Sequence, residues 1–240
     1  MNVGIIPLVS TIVVFICGIA VLDQYFARRR PFQLLWSIGF FMYGISTFTE
    51  FYTSTRGLSE TMFRLWFLFG AMLVAAFLGQ GTVYLLFCRR TAHTLMIVLG
   101  VLSAYAAVRL FTYNISLDNA RQLTDKIAVP SDIGAITGLL NVYGTVALVG
   151  GALYSAWVFW RKRILPHRVV SNILIAVGAL LPAIAGSLLK LGTARGAPFY
   201  ALELGGAIII FLGFLRTKEV FGLYRFPLVH GFKRVEATRT

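Results

Sequence analysis

The run Leu204-Gly-Gly-Ala-Ile-Ile-Ile-Phe-Leu-Gly-Phe-Leu215 contains Ile208-Ile209-Ile210-Phe211-Leu212, five consecutive residues that are apolar on every side. A strand crossing a membrane alternates apolar and polar residues over about ten positions. This stretch, like Leu95-Met96-Ile97-Val98-Leu99, therefore excludes a barrel and reads as helix. Outward from it, apolar runs of about 20 residues, the length that crosses a bilayer as a helix, recur near 4–25, 32–52, 63–87, 93–113, 134–158, 169–190 and 198–216. A hydrophobic content of 58% and a mean hydropathy of +0.79 leave too little polar surface for a water-soluble domain. The expected fold is an all-α membrane protein: a seven-helix transmembrane bundle over residues 1–217 and a basic cytoplasmic tail over 218–240. The first run has no basic leader and is followed by Arg28-Arg29-Arg30 rather than a small-residue cleavage site, so it reads as a retained span and not as a signal peptide.

Charge sets the expected orientation. Arg28 to Arg30, Arg89, Arg90, Arg161, Lys162, Arg163, Arg168 and the six basic residues from Arg216 onward fall on alternate connections, 15 of the 22 basic residues in all. With Asp23, Glu219 and Glu236 that side holds +12, against +1 on the other. The positive-inside tendency then puts the N-terminus outside and the C-terminus in the cytoplasm. The basic excess is thus an orientation signal with some attraction for anionic lipid, and no nucleic-acid partner is expected. Short loops and two cysteines fit a multi-pass protein of a bacterial inner membrane.

Several chemistries are excluded by placement. His93, His167 and His230 all lie at or beyond the cytoplasmic boundary, so no pair of them clamps a haem or metal within the hydrocarbon region. Ser103 and Ser187 have no histidine at their depth to serve as a base. Leu204 to Leu215 contains no lysine for a retinal Schiff base. Neither enzymatic activity nor a cofactor is expected. Cys17 and Cys88 fall at depths too far apart for a disulfide.

The residues that ask for an explanation are the polar ones inside the spans. Glu50, Arg64, Arg109, Lys190 and Glu203 all fall in the outer third. Asn141 lies about 10 Å below the outer start of the fifth helix at 1.5 Å per residue. Tyr43, Thr47 and Glu50 share one face, as do Tyr200 and Glu203. These residues are candidates to line an outward-facing polar pocket for a small molecule. The long stems of Arg64, Arg109 and Lys190 also reach the headgroups unaided. Glu203, about 7 Å deep by the same rise, is too short to do so. It needs a partner cation such as Arg109 or Lys190, a bound proton, or a wet cavity.

The remaining features concern packing. Pro182, between Gly178 and Gly186, is expected to bend the sixth helix as a static kink or a hinge. The connection over 114–133 is a candidate lid, with Pro130 and Ser131-Asp132 marking the next helix start. Gln80 and Tyr84 are expected to bond between helices, and Trp36, Trp157 and Trp160 to form interfacial belts. Val220 to His230 suits a segment lying on the inner surface.

Thr49-Glu50-Phe51-Tyr52, Arg64-Leu65-Trp66-Phe67-Leu68-Phe69-Gly70 and Gly79-Gln80-Gly81-Thr82-Val83-Tyr84-Leu85-Leu86 resemble the seven-helix membrane sensor region of bacterial histidine kinases, over about a quarter of the chain. The resemblance implies a bundle with an outside N-terminus that senses external or membrane signals. Such a module, with no effector domain expected here, would require a membrane or cytoplasmic protein partner. A small-solute transporter is the alternative, suggested by the echo of Gly70-Ala71-x-Leu73-x-Ala75 in Gly178-Ala179-x-Leu181-x-Ala183. A structural subunit of a membrane complex is the third reading.

Overall fold

The computed structural model describes residues 4–117, 120–163 and 166–216. Seven long helices carry almost all of them: α1 (Ile5–Arg28), α2 (Pro31–Arg56), α3 (Glu60–Leu86), α4 (Arg89–Thr112), α5 (Ser131–Arg161), α6 (Pro166–Leu191) and α7 (Ala197–Arg216). All except α2 are long and apolar enough to cross a membrane. The chain is an all-α, multi-pass membrane protein. The segment from 217 to 240, with the aromatic and basic stretch Val220 to His230, lies outside the described residues.

The helices overrun the apolar spans by up to four residues, as α4 does by beginning at Arg89. Backbone hydrogen bonding continues where apolar composition stops, and local chemistry ends it. Arg29 in the left-handed region (φ 52°) closes α1, and Gly57 (φ 93°) closes α2. The Ser59 hydroxyl accepts from the Met62 N–H to open α3. α5 begins at Ser131 after Pro130, as the sequence predicts.

The long helix outside the apolar set, α2, sits inside the bundle. Its buried face carries Gln33, Ser37, Ser46, Thr47, Thr49, Glu50 and Thr53. Most of its hydroxyls bond to carbonyls one turn back, Thr47 to Tyr43 and Gly44, Thr49 to Ser46, Thr53 to Thr49. That local satisfaction is what lets a polar helix stand where water cannot reach. α2 packs against α1 through Ser37 to the Gly18 carbonyl (3.1 Å) and Thr11 to Thr47 (3.0 Å). It meets α3 where the Trp36 indole donates to the Leu78 carbonyl at 3.0 Å. Trp36 is thus half-buried among α2, α3 and Phe214 of α7 rather than part of an interfacial belt, because its N–H finds a protein acceptor. Trp157 and Trp160 do lie exposed near the end of α5.

Glycines set the tightest approaches. A Cβ on Gly79 would come within 2.6 Å of the Gly144 carbonyl oxygen, so α3 and α5 touch backbone to backbone. Both helices contain π-helical turns near this crossing, Trp66–Leu73 and Val146–Gly150. Pro182 deprives the Gly178 carbonyl, four residues back, of its helical donor. That carbonyl faces Gly206 of α7, where a Cβ would lie 2.7 Å from the oxygen and 2.6 Å from Pro182 Cδ. The proline is locked into a packed α6–α7 pair. Cys17 is buried and Cys88 exposed, and both are free thiols.

Candidate functional site

α2, α3 and α7 bring their polar side chains together near the end of the bundle at which the chain begins. Glu50, fully buried, comes from the last two turns of α2, and Glu203, 9% exposed, from the second turn of α7. The Trp66 indole on α3 donates to Glu50 Oε1 at 2.8 Å. The Tyr43 hydroxyl on α2 donates to the Glu203 backbone carbonyl at 3.0 Å. The two carboxyl groups lie within hydrogen-bonding reach of each other, yet among the described residues no donor reaches Oε2 of either. Two carboxylates only accept, so the contact lacks a proton unless one of them carries it. A further unpartnered oxygen, Ser46 Oγ, sits one turn back from Glu50 on α2 against Gly70 of α3.

Tyr200, also buried, closes the site from α7, within reach of Ser54 and near Asp125. Above it folds the connection between α4 and α5. Ile115, Leu123 and Thr124 of that connection are buried, and Leu123 belongs to the same apolar cluster as Phe199 and Tyr200. The Gly196 N–H donates to Thr124 Oγ1 at 3.3 Å, and Asp125 Oδ2 accepts from the Arg121 and Gln122 N–H groups at 2.8 and 2.9 Å. The Gly196–Thr124 bond and the packing of Leu123 hold the described part of the connection against the start of α7.

The structure brings Glu50, Glu203, Tyr43 and Tyr200 together and disperses the other site candidates. Arg64 donates to the Leu110 and Tyr113 carbonyls at the end of α4 and pairs with Glu60, a choice favoured by the negative end of the α4 dipole. Arg109 bonds to Asp132 at 3.1 Å, with Tyr105 on the same carboxylate at 2.8 Å. Lys190 stands exposed at the end of α6. Asn141 donates to the Ala71 carbonyl at 2.7 Å within the π-helical part of α3 and to Thr137 at 2.9 Å, pinning α5 to α3. The expectation that Glu203 pairs with Arg109 or Lys190 is therefore not realised, since each arginine has an acceptor nearer to its own helix end.

Two residues of the site, Trp66 and Ser46, escape the sequence reading. Trp66 carries a signal in retrospect, because a buried indole N–H needs an acceptor and Glu50 supplies one. Ser46 carries none. Toward the opposite end lies a second polar group, as expected of Gln80 and Tyr84: Gln80 donates to the Ala92 carbonyl at 2.8 Å and accepts from Tyr143, and Tyr84 meets His93 Nδ1 at 2.8 Å. Every hydrogen-bonding group of this second cluster that was just named has its partner. No family model matches the chain, and no curated protein or solved structure matches it either.

Proposed function

We propose that the chain is a seven-span membrane sensor, N-terminus outside and C-terminus cytoplasmic, whose sensing element is the Glu50–Glu203 site. The supporting observation is two acidic side chains buried against one another with no basic partner among the described residues. Ionised side chains in a membrane interior each cost a few kcal/mol, so a protein that needed only stability is better served by apolar residues there. A site held at that cost suits a module with two arrangements of similar energy, which a small external signal can bias. The resemblance to kinase sensor regions points the same way, and a membrane or cytoplasmic partner would receive the output.

Transport is less well supported. The two echoing stretches would be counterparts in an inverted repeat, yet Gly70 packs against Ser46 of the preceding helix whereas Gly178 packs against Gly206 and Ile210 of the following one. The test uses the full chain with Cys88→Ser, spin-labelled at Thr55→Cys and Arg195→Cys and reconstituted in sealed vesicles. The external medium is stepped through pH, monovalent salts and amino acids. A sensor changes the distance between labels in at least one step without accumulating solute. Saturable uptake that Glu203→Gln abolishes would replace sensing with transport.

A further inference from the structure

The geometry points to a single proton shared between the carboxyl groups of Glu50 and Glu203 as the ligand of this site, and as the signal that the site reads. The inference rests on the sensing reading for its second half only. Three observations carry it. The carboxyl groups lie within hydrogen-bonding reach of each other, and two carboxyl groups bond to each other only when at least one of them carries a proton, a single shared proton being the least that makes the bond. Oε2 of each is buried with no donor, so that proton satisfies atoms that nothing else reaches. Among the described residues the neighbours offer no positive charge: the titratable groups facing the pair are Tyr43 from α2 and Tyr200 from α7, with Asp125 of the connection beside Tyr200, and α3 contributes the neutral Trp66.

A metal ion fits the site less well than a proton. Among the described residues no group of three or more His, Cys, Asp or Glu side chains could hold one. The Tyr43 hydroxyl is turned to the Glu203 carbonyl, and Glu50 Oε1 is committed to Trp66. Three carboxylate oxygens and a serine hydroxyl fall short of the roughly six to eight oxygens that hard cations take.

The consequence for movement follows from electrostatics. When the proton leaves to water, two carboxylates remain in contact in a medium where like charges repel far more strongly than in water. Relief requires α7 to move from α2, and α7 is interlocked with α6 through Gly206, Gly178 and Pro182. The α6–α7 pair then shifts together, beneath the bond from Gly196 to Thr124 of the connection. Glu203, slightly exposed where Glu50 is sealed, is the member of the pair through which the proton enters and leaves.

Infrared spectroscopy of the full chain in lipid vesicles tests the shared proton directly. The wild type at neutral pH should show the carbonyl stretch of one protonated carboxylic acid per chain, displaced in heavy water and bleached in one step as the pH is raised. Glu50→Gln/Glu203→Gln should lack that band, and Asp132→Asn should keep it. Wild-type and double-variant spectra that coincide at neutral pH would overturn the inference. The Thr55–Arg195 label distance separates this from the sensing reading. A band with no distance change in any medium keeps the proton and removes the sensor; no band with a distance change on another stimulus does the reverse.

Discussion

The energetic weight of the site at the residue scale lies in donors that cannot be replaced by water. Trp66 supplies the one protein donor on Glu50 Oε1 among the described residues, so Trp66→Phe keeps an aromatic side chain but removes the N–H and strands a buried acceptor, at about 1–3 kcal/mol. Thermal melting in detergent should register that loss, and an unchanged midpoint would mean that the oxygen is solvated. The pairing itself is measured by a double-mutant cycle. Glu50→Ala and Glu203→Ala each remove the other carboxyl's acidic partner, so the double variant should lose less than the sum of the singles, by about 0.5–3 kcal/mol. Glu203→Ala with Arg109→Ala should instead add to within about 0.5 kcal/mol, because Arg109 belongs with Asp132. Coupling in the second cycle and none in the first would restore an acid–base pair in place of two acids. Opposite charges at similar depth suggest such a pair from sequence, and only the directions of the side chains decide against it: Arg64 and Arg109 find acceptors at the ends of α4 and α5, whereas Glu203 points inward.

Among the elements, the α6–α7 pair illustrates what small residues do when nothing apolar distinguishes protein from lipid. Gly206 permits contact with both Pro182 and the carbonyl that Pro182 frees, so Gly206→Ala forces the helices apart and should destabilise by about 1–3 kcal/mol. Gly186→Ala, four residues beyond the proline with open space around it, removes only a flexible residue from a helix and should stabilise by about 0.5–1 kcal/mol. Equal melting shifts for the two would show that the interlock is absent. The proline and its flanking glycines are visible in the sequence, but which glycine meets the proline is not, because Gly178 and Gly186 flank it while the contact comes from another helix. For the same reason α2 reads as one span among seven. Its run of serines and threonines looks like a weak transmembrane segment until it is seen enclosed by α1, α3 and α7, with most of its hydroxyls bonded to its own carbonyls.

For the whole molecule, the spans are legible because a bilayer imposes a length and a composition on each helix, and that constraint acts on local sequence alone. The order of packing and the meeting of Glu50 with Glu203 depend on long-range contacts between helices of similar apolarity, which no local pattern encodes. Orientation stands between these cases, since it rests on where +12 and +1 fall along the chain, and it decides which compartment the carboxyl pair samples. Cys88 offers a native reporter for it. This exposed thiol opens α4 beside Arg89 and Arg90, at the end opposite to the carboxyl pair. It lies 3.2 Å from the Thr91 hydroxyl, and this bond, with the backbone N–H groups at the start of α4, holds it below the usual thiol range. A lowered pKa enlarges the share of reactive thiolate, and labelling after permeabilisation is the control that makes failure to label report access. In sealed right-side-out vesicles an impermeant maleimide should leave Cys88 untouched until the membrane is permeabilised. With Cys88→Ser, Arg195→Cys should label at once from outside and Lys162→Cys should not. The opposite pattern at all three positions would turn the molecule over in the membrane and make the shared proton a reporter of the cytoplasm.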